Sequence, residues 1–403
     1  METIESNKSL KILQVISTPP FAWSTGGCAR VSFDLSKELV KRGHDVTILT
    51  TNMLEPNQRY SKKDIEHIDG IRFIRFDYVS DKLAWKYKIY LSLGIINYLK
   101  NHVMEYDIVH LQDLISIHAI CTAKYCQKFN VPYVSSAHGS LNWLFERKII
   151  NTLYNKFFAS YILENASRLI ALNNTELSLY EKFGLNKKKV QIIPNGISLV
   201  KEDILQKKGL FRIKYQINED QNIILYLGRI HESKGIDLLI RAFSDLKTSV
   251  NKSKLVIVGP DDGFMPKIET LVKKLKIKND VIFTGPLYGD EKKMAYLDAD
   301  IFVTPSFTGF PITFLEACSL KTPIITTKNA DTLNWIDYQV GFVVPYTQKD
   351  LKDAMFNILN DKNLENTFAD NCVEMVKKRF TWNIIAENLE KLYLDIIISR
   401  GSI

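Results

Sequence analysis

The sequence predicts an α/β protein with two parallel-sheet domains, and three observations predict it. Apolar strand runs and helical patterns alternate through residues 11–183 and again from 222 to 327. Strands separated by helix-length segments imply βαβ units and parallel sheets. A length of 403 residues makes two domains the natural count. Finally, two segments of the second half each hand an apolar strand to a helix through a turn equipped to bind a ligand.

The elements follow in order. KILQVIS (11–17) reads as a strand, then CARVSFDLSKELVKRG as a helix that stops at Gly43. Strands are expected at 45–51, 71–76, 107–112, 131–138 and 168–173, with helical segments near 84–101, 116–129, 146–165 and 175–183. The second half repeats the pattern with NIILYL (222–227), 254–259, 281–285, IFVTPS and PIITT. Asn195 to Lys208 is the expected connection. The domains are therefore set at 1–200 and 201–381, followed by a last helix, Trp382 to Ser399.

Composition agrees. An apolar fraction of 46% is ordinary for soluble proteins and ample for two cores. The run Tyr90 to Leu99 is too short to span a bilayer, and the polar start METIESNKSL reads as no signal peptide. Five cysteines without CxxC spacing suit reduced thiols and a cytoplasmic protein. Residues 1–200 hold 25 Lys and Arg against 18 Asp and Glu, so nearly all of the +8 excess lies there. Such asymmetry suggests an anionic partner. No nucleic-acid motif is present. Lys82 to Asn101 and Asn142 to Tyr161 interleave aromatic and basic residues, which suits either a core-facing stripe or a helix lying on an anionic membrane surface.

The first ligand-binding segment is YLGRIHESKGIDLLIRAF, from Tyr226 to Phe243. Its strand turns at Gly228 into a helix expected near Ser233, with Arg229 and Lys234 on the turn. Two cations at the carboxyl end of a strand, beside a helix N-terminus, make an anion site suited to a diphosphate. In the second, a strand at Ile301 runs through Gly309-Phe310-Pro311 into a helix carrying Glu316. Pro311 fits the first helical position. The N–H groups of Ile312 and Thr313 then lack intrahelical acceptors, and Glu316 suits sugar or ribose hydroxyls. In the first half, Gly26-Gly27 of STGG either makes a tight turn or brings backbone close to a ligand. STGG is neither a dinucleotide fingerprint nor a Walker loop. His138 ends a strand, where a histidine serves as a hydrogen-bonding structural group or as a catalyst. His110 ends another. Asp298-Ala299-Asp300 and Asp261-Asp262 read as helix-end and turn chemistry, with no metal ligand in either.

The run Gly228, Arg229, Lys234, Gly235 followed by P-S-x-x-G-F-P-x-x-x-L-E-A-C resembles the donor domain of retaining glycosyltransferases of family 4 (glycosyl transferases group 1). The likeness extends back through IPNGIS, AHGS and STGGCAR, in the family's order. It implies the GT-B fold, two Rossmann-like domains facing across a cleft, the last helix crossing back onto the first. It also implies a hexosyltransferase moving sugar from a nucleotide diphosphate sugar to a hydroxyl acceptor, lipid-linked or polysaccharide, without a metal or other cofactor. The resemblance gives Arg229 and Lys234 the diphosphate and the catalytic electrostatics, and points His138 at the sugar. Gly26, Gly27, Thr308, Gly309, Phe310, Pro311, Ile312, Thr313 and Glu316 would hold the donor. It suits a protein in the cytoplasm, peripheral on the membrane's cytoplasmic face. One departure stands out: Thr308 occupies the place of the family's first glutamate, eight positions before Glu316. A non-catalytic nucleotide-sugar-binding protein and a GT-B-fold sugar epimerase are the alternatives.

Overall fold

The computed structural model describes residues 9–20, 27–55, 58–60, 65–87, 89–141, 158–307, 310–328 and 335–401. The chain divides into two units, residues 1–196 with 382–403 and residues 197–381.

In the first unit the strands are β1 (Lys11–Val15), β2 (Asp45–Thr51), β3 (Met53–Glu55), β4 (Gln58–Arg59), β5 (Glu66–Ile68), β6 (Ile71–Phe76), β7 (Ile108–Leu111), β8 (Tyr133–Ser136), β9 (Arg168–Ala171) and β10 (Val190–Ile192). Among the described residues they form a sheet in the order β10-β9-β8-β7-β1-β2-β6-β5 and a separate β3-β4 pair. Only β5, on the edge, runs antiparallel to its sheet neighbour. Parallel strands are covered on both faces and so read as nearly continuous apolar runs; in β1 only Lys11 is exposed. Because β1 lies between β7 and β2, the chain reverses direction across the sheet there, and such a switch point opens a crevice at the strands' carboxyl ends.

The last helix, Trp382–Ser399, belongs to this unit. It buries Trp382, Ile385, Leu389, Leu392, Tyr393 and Ile396. Arg42 donates from Nε and Nη2 to Glu390 Oε2, at 2.8 and 2.5 Å. His44 Nε2 lies 3.1 Å from Glu390 Oε1, while its Nδ1 accepts from the Leu10 N–H at 3.2 Å. Removing one member of a buried charge cluster leaves the others unpaired. Since Arg42 keeps some solvent contact, Glu390→Ala should destabilise this unit by about 2–3 kcal/mol. Urea denaturation measures this, and an unchanged midpoint would show that the cluster contributes nothing.

The second unit has β11 (Asn222–Leu227), β12 (Ser253–Val258), β13 (Val281–Gly285), β14 (Ile301–Thr304), β15 (Ile324–Thr327) and β16 (Gly341–Val344). All pair in parallel, in the order β13-β12-β11-β14-β15-β16. Its switch point lies between β11 and β14. Helix Ile236–Leu246 turns Ile236, Leu239, Ile240, Phe243 and Leu246 inward, the i, i+3, i+4, i+7 spacing of an amphipathic helix.

Some expectations need correction. The segment near 84–101 is not one helix. A short wide-turned helix, Lys82–Lys86, is followed by a break and then by helix Leu93–His102. Ser92 ends the break because its Oγ accepts from the Ile95 N–H and its own N–H goes to His118 Nε2 at 3.0 Å. The helix expected near Ser233 begins at Ile236, after a 3₁₀ turn at Glu232–Lys234. Pro311 is an N-cap in extended conformation, and helix Ile312–Ser319 follows it. Of the segment 142–161, residues 142–157 lie outside the described residues.

Candidate active site

Arg229 and Lys234 stand on the turn after β11. Two backbone bonds tie this turn to the loop after β12: Ile230 N–H to Pro260 at 2.9 Å, and Asp262 N–H to Ile230 at 3.0 Å. Gly259 permits the approach, since its φ is 148° and a Cβ there would sit 1.9 Å from the Gly228 oxygen. At the far end Gly235 takes φ 68°, and a Cβ would meet Pro305 and Tyr346. Only glycine fits both places. His231 Nδ1 accepts from the Ser233 N–H at 3.1 Å and so caps the 3₁₀ turn.

Arg229 is exposed and forms an ion pair with Asp262. Lys234 is half-buried, and its Nζ lies 4.9 Å from the centre of the Phe307 ring. Desolvation first, and then the nearby Arg229 charge, lowers the pKa of Lys234. An anion bound between the two would relieve that repulsion. An exposed ion pair contributes little, so Asp262 can yield Arg229 to such an anion. Phe307, at the end of β14's turn, also packs on Phe314 with ring centres 6.0 Å apart. The β11 turn and the start of helix Ile312–Ser319 are thus brought together.

On that helix Glu316 is held by two groups. Lys292 Nζ donates to Oε1 at 2.5 Å, and the Tyr296 hydroxyl donates to Oε2 at 3.3 Å. Both come from helix Gly289–Asp298. Tyr296 is buried, and desolvation with the Glu316 charge keeps its hydroxyl protonated. The carboxylate is therefore fixed as an acceptor. Phe310, Pro311, Ile312 and Thr313 lead into it, and among the described residues the buried Thr313 Oγ1 has no partner. Thr308 and Gly309 lie outside the described residues.

Asp298, Asp300 and Asp261 hold backbone. Asp298 accepts from the N–H groups of Gly209 and Arg212, at 2.6 and 3.1 Å, and Asp300 from the Ile223 N–H at 2.7 Å. Asp261 Oδ1 accepts from the N–H groups of Gly263, Phe264 and Met265. Among the described residues no three His, Cys, Asp or Glu are grouped to hold a metal.

The other candidates belong to the first unit. Gly27 opens helix Gly27–Lys41, while Gly26 lies outside the described residues. His138 stands two residues past β8 with φ 47°, a conformation non-glycine residues adopt at a penalty. Buried Glu176 holds the turn, accepting from the Gly139 N–H at 2.8 Å and the Leu172 N–H at 2.7 Å. Desolvation lowers the pKa of His138 to about 4. The ring is therefore neutral at pH 7. Its Nε2 lies 2.7 Å from Gln112 Oε1.

The sequence does not single out Lys292, Tyr296, Gln112 or Glu176 as site residues, and it reads Asp262 only as turn chemistry. Gln112 follows the end of β7, the position that could have flagged it.

Two family models cover most of the chain: Glycosyltransferase Family 4 matches residues 25–201, and Glycosyl transferases group 1 matches residues 207–375. An uncharacterized glycosyltransferase of Methanocaldococcus jannaschii is 26% identical over 386 residues, covering 91% of this chain and 94% of the relative. The alpha-monoglucosyldiacylglycerol synthase of Streptococcus pneumoniae is also 26% identical, with 91% and 82% covered. Among solved structures, sucrose-phosphate synthase from Thermosynechococcus elongatus superposes with a TM-score of 0.74 at 22% identity, over 97% of this chain and all of that one. Anabaena HepE, in complex with UDP and glucose, superposes with a TM-score of 0.72 at 16% identity, over 96% of this chain and all of that one. The protein is a glycosyltransferase of the GT-B fold, and the chain belongs to glycosyltransferase family 4.

Proposed function

We propose that the protein transfers a hexose from a nucleotide diphosphate sugar to a hydroxyl acceptor with retention of configuration and without a metal. The observation that carries this is the second unit's switch point, where Arg229 and Lys234 face the helix that carries Glu316. Arg229 and Lys234 take the diphosphate and stabilise the negative charge that grows as it leaves, prepositioned electrostatics worth several kcal/mol. Glu316, oriented by Lys292 and Tyr296, accepts from the ribose hydroxyls. The N–H groups of Ile312 and Thr313 grip the sugar or its phosphate. His138 is assigned to the donor sugar. The departing phosphate itself then takes the acceptor's proton on the front face.

Calorimetry with a free nucleoside diphosphate tests the site. Arg229→Ala and Lys234→Ala should weaken binding of both the nucleoside diphosphate and inorganic diphosphate. Glu316→Gln should weaken only the nucleoside form. Equal loss of both ligands on changing Glu316 would remove it from the ribose. Excess chelator should leave binding and turnover unchanged, because side-chain cations neutralise the leaving group. Activity lost to chelator and restored by magnesium or manganese would contradict metal independence.

The acceptor is proposed to be lipid-linked, in keeping with the glycolipid that the Streptococcus relative makes. Val79, Tyr87, Ile89 and Leu93 are exposed beside exposed Lys82 and Lys86 in the basic first unit. Aromatic and aliphatic groups with flanking lysines suit an anionic membrane surface. Among the described residues no helix is long and apolar enough to cross a membrane. Co-sedimentation with anionic vesicles should fall as salt rises. Equal binding to neutral vesicles, or none to either, would remove the membrane from the account.

A further inference from the structure

The buried polar network behind His138 carries a more specific role. His138 Nε2 lies 2.7 Å from Gln112 Oε1. An amide oxygen only accepts, so this contact places the histidine's proton on Nε2. Gln112 is oriented in turn from its other end. Its Nε2 donates to Gln14 Oε1 at 2.6 Å and lies 3.2 Å from His110 Nδ1. An amide nitrogen only donates, so His110 Nδ1 must accept there. His110 then carries its proton on Nε2 and gives it to Ser136 Oγ at 2.8 Å. The Tyr393 hydroxyl, 2.7 Å from His110 Nδ1, agrees by donating to the same nitrogen. Tyr393 is buried and burial holds its hydroxyl protonated, while burial lowers the pKa of His110 to about 3 and keeps that ring neutral.

Donor and acceptor are therefore assigned at each of these bonds, with Tyr393 and Gln112 both donating to His110 Nδ1. The last helix supplies Tyr393, Tyr393 fixes His110, and His110 with Gln14 fixes the Gln112 amide so that its oxygen faces His138. Gln112, His110, Gln14, Ser136 and Tyr393 are all buried. A cavity of about 20 Å³ is lined by His110, Gln112, Ser136 and His138 together with Trp382 and Leu389. Gln112 is buried, and its contact with His138 is the route by which it can act.

We propose that Gln112 is a positioning residue that holds His138 as the neutral Nε2–H tautomer, and that Tyr393 of the last helix sets Gln112 through His110. The lone pair is then on Nδ1, and which nitrogen donates decides what a histidine can offer a sugar hydroxyl. This rests on the reading that His138 serves the donor sugar.

The test uses the full-length protein labelled with ¹⁵N-histidine. Long-range ¹H–¹⁵N spectra at pH 7 should show His138 and His110 both neutral and protonated at Nε2. Protonation of His138 at Nδ1 would overturn the proposal from the wild-type protein alone, whatever any variant does. Gln112→Met keeps the volume but offers no acceptor. It should lower kcat by roughly tenfold or more, the scale on which partners that orient a functional histidine act, and leave affinity for free nucleoside diphosphate within about twofold. Gln112→Glu restores the acceptor and should recover part of the loss. A normal kcat in Gln112→Met, with His138→Ala inactive, would overturn the positioning role and leave the functional reading of His138 standing. Normal turnover in His138→Ala would instead overturn the functional reading, and the role of Gln112 with it.

Discussion

Replacing Arg229 or Lys234 by alanine should cut turnover by a factor on the order of 100 or more, the usual effect of deleting one group that stabilises developing charge. The two residues reach the same place by different routes. Arg229 is an exposed guanidinium lent to Asp262. Lys234 is half-buried against Phe307, with its pKa lowered by desolvation and by Arg229. A diphosphate satisfies both at once, so each mutant loses stabilisation that grows towards the transition state. Stability should barely change, because exposed pairs of this kind are worth at most about 1 kcal/mol. Asp262→Ala provides the control: Arg229 is released, and diphosphate affinity should hold or rise. Near-normal turnover in either cation mutant would break the assignment.

Acid should destabilise the first unit strongly. Burial lowers the pKa of His110 to about 3 and those of His118 and His138 to about 4, and lowers that of His44 as well. An unfolded histidine titrates near 6.5. Between that pH and about 4 the unfolded chain binds protons that the folded chain refuses. Stability is then complete above about 6.5 and falls as pH drops. At pH 5 each of the three strongly shifted histidines accounts for at most about 2 kcal/mol. Buried Glu176 and partly buried Asp34 have raised pKa values, so they act in the opposite sense and offset part of the loss. A net loss of several kcal/mol between pH 7.5 and pH 5 is expected. Urea denaturation at the two pH values, followed by a probe in the first unit, measures it. Equal or greater stability at pH 5 would contradict the buried neutral network.

Local pattern made most of the frame legible. The buried runs of β1, β11 and β14 stand out because parallel strands are covered on both faces. Helix Trp382–Ser399 ran its expected length, since its apolar stripe is uninterrupted. The short strands β3, β4, β5, β10 and β16 were not anticipated. They hold two to four residues each and lie in edge or hairpin positions, where burial imposes little pattern. Helix Leu93–His102 started late for a tertiary reason: His118, 26 residues on, captures the Ser92 N–H.

Within the site, the turn cations and Glu316 were legible because strand–turn–helix segments carry their ligand chemistry locally. Their partners were not. Lys292 precedes Glu316 by 24 residues, and Asp262 follows Arg229 by 33. In sequence Lys292 is one of two adjacent lysines on a polar helix face, which is how a solvated lysine also looks. The Gln112 amide gains meaning only when the sheet order sets β7 beside both β1 and β8.

The most direct test is to incubate the protein with several nucleotide diphosphate sugars and a panel of hydroxyl acceptors, and to read the products by mass spectrometry and NMR. Nucleoside diphosphate should be released only with an acceptor present, and the glycoside's anomeric configuration should match the donor's. Binding without turnover, a converted sugar that needs no acceptor, or an inverted product would contradict the proposed retaining transfer.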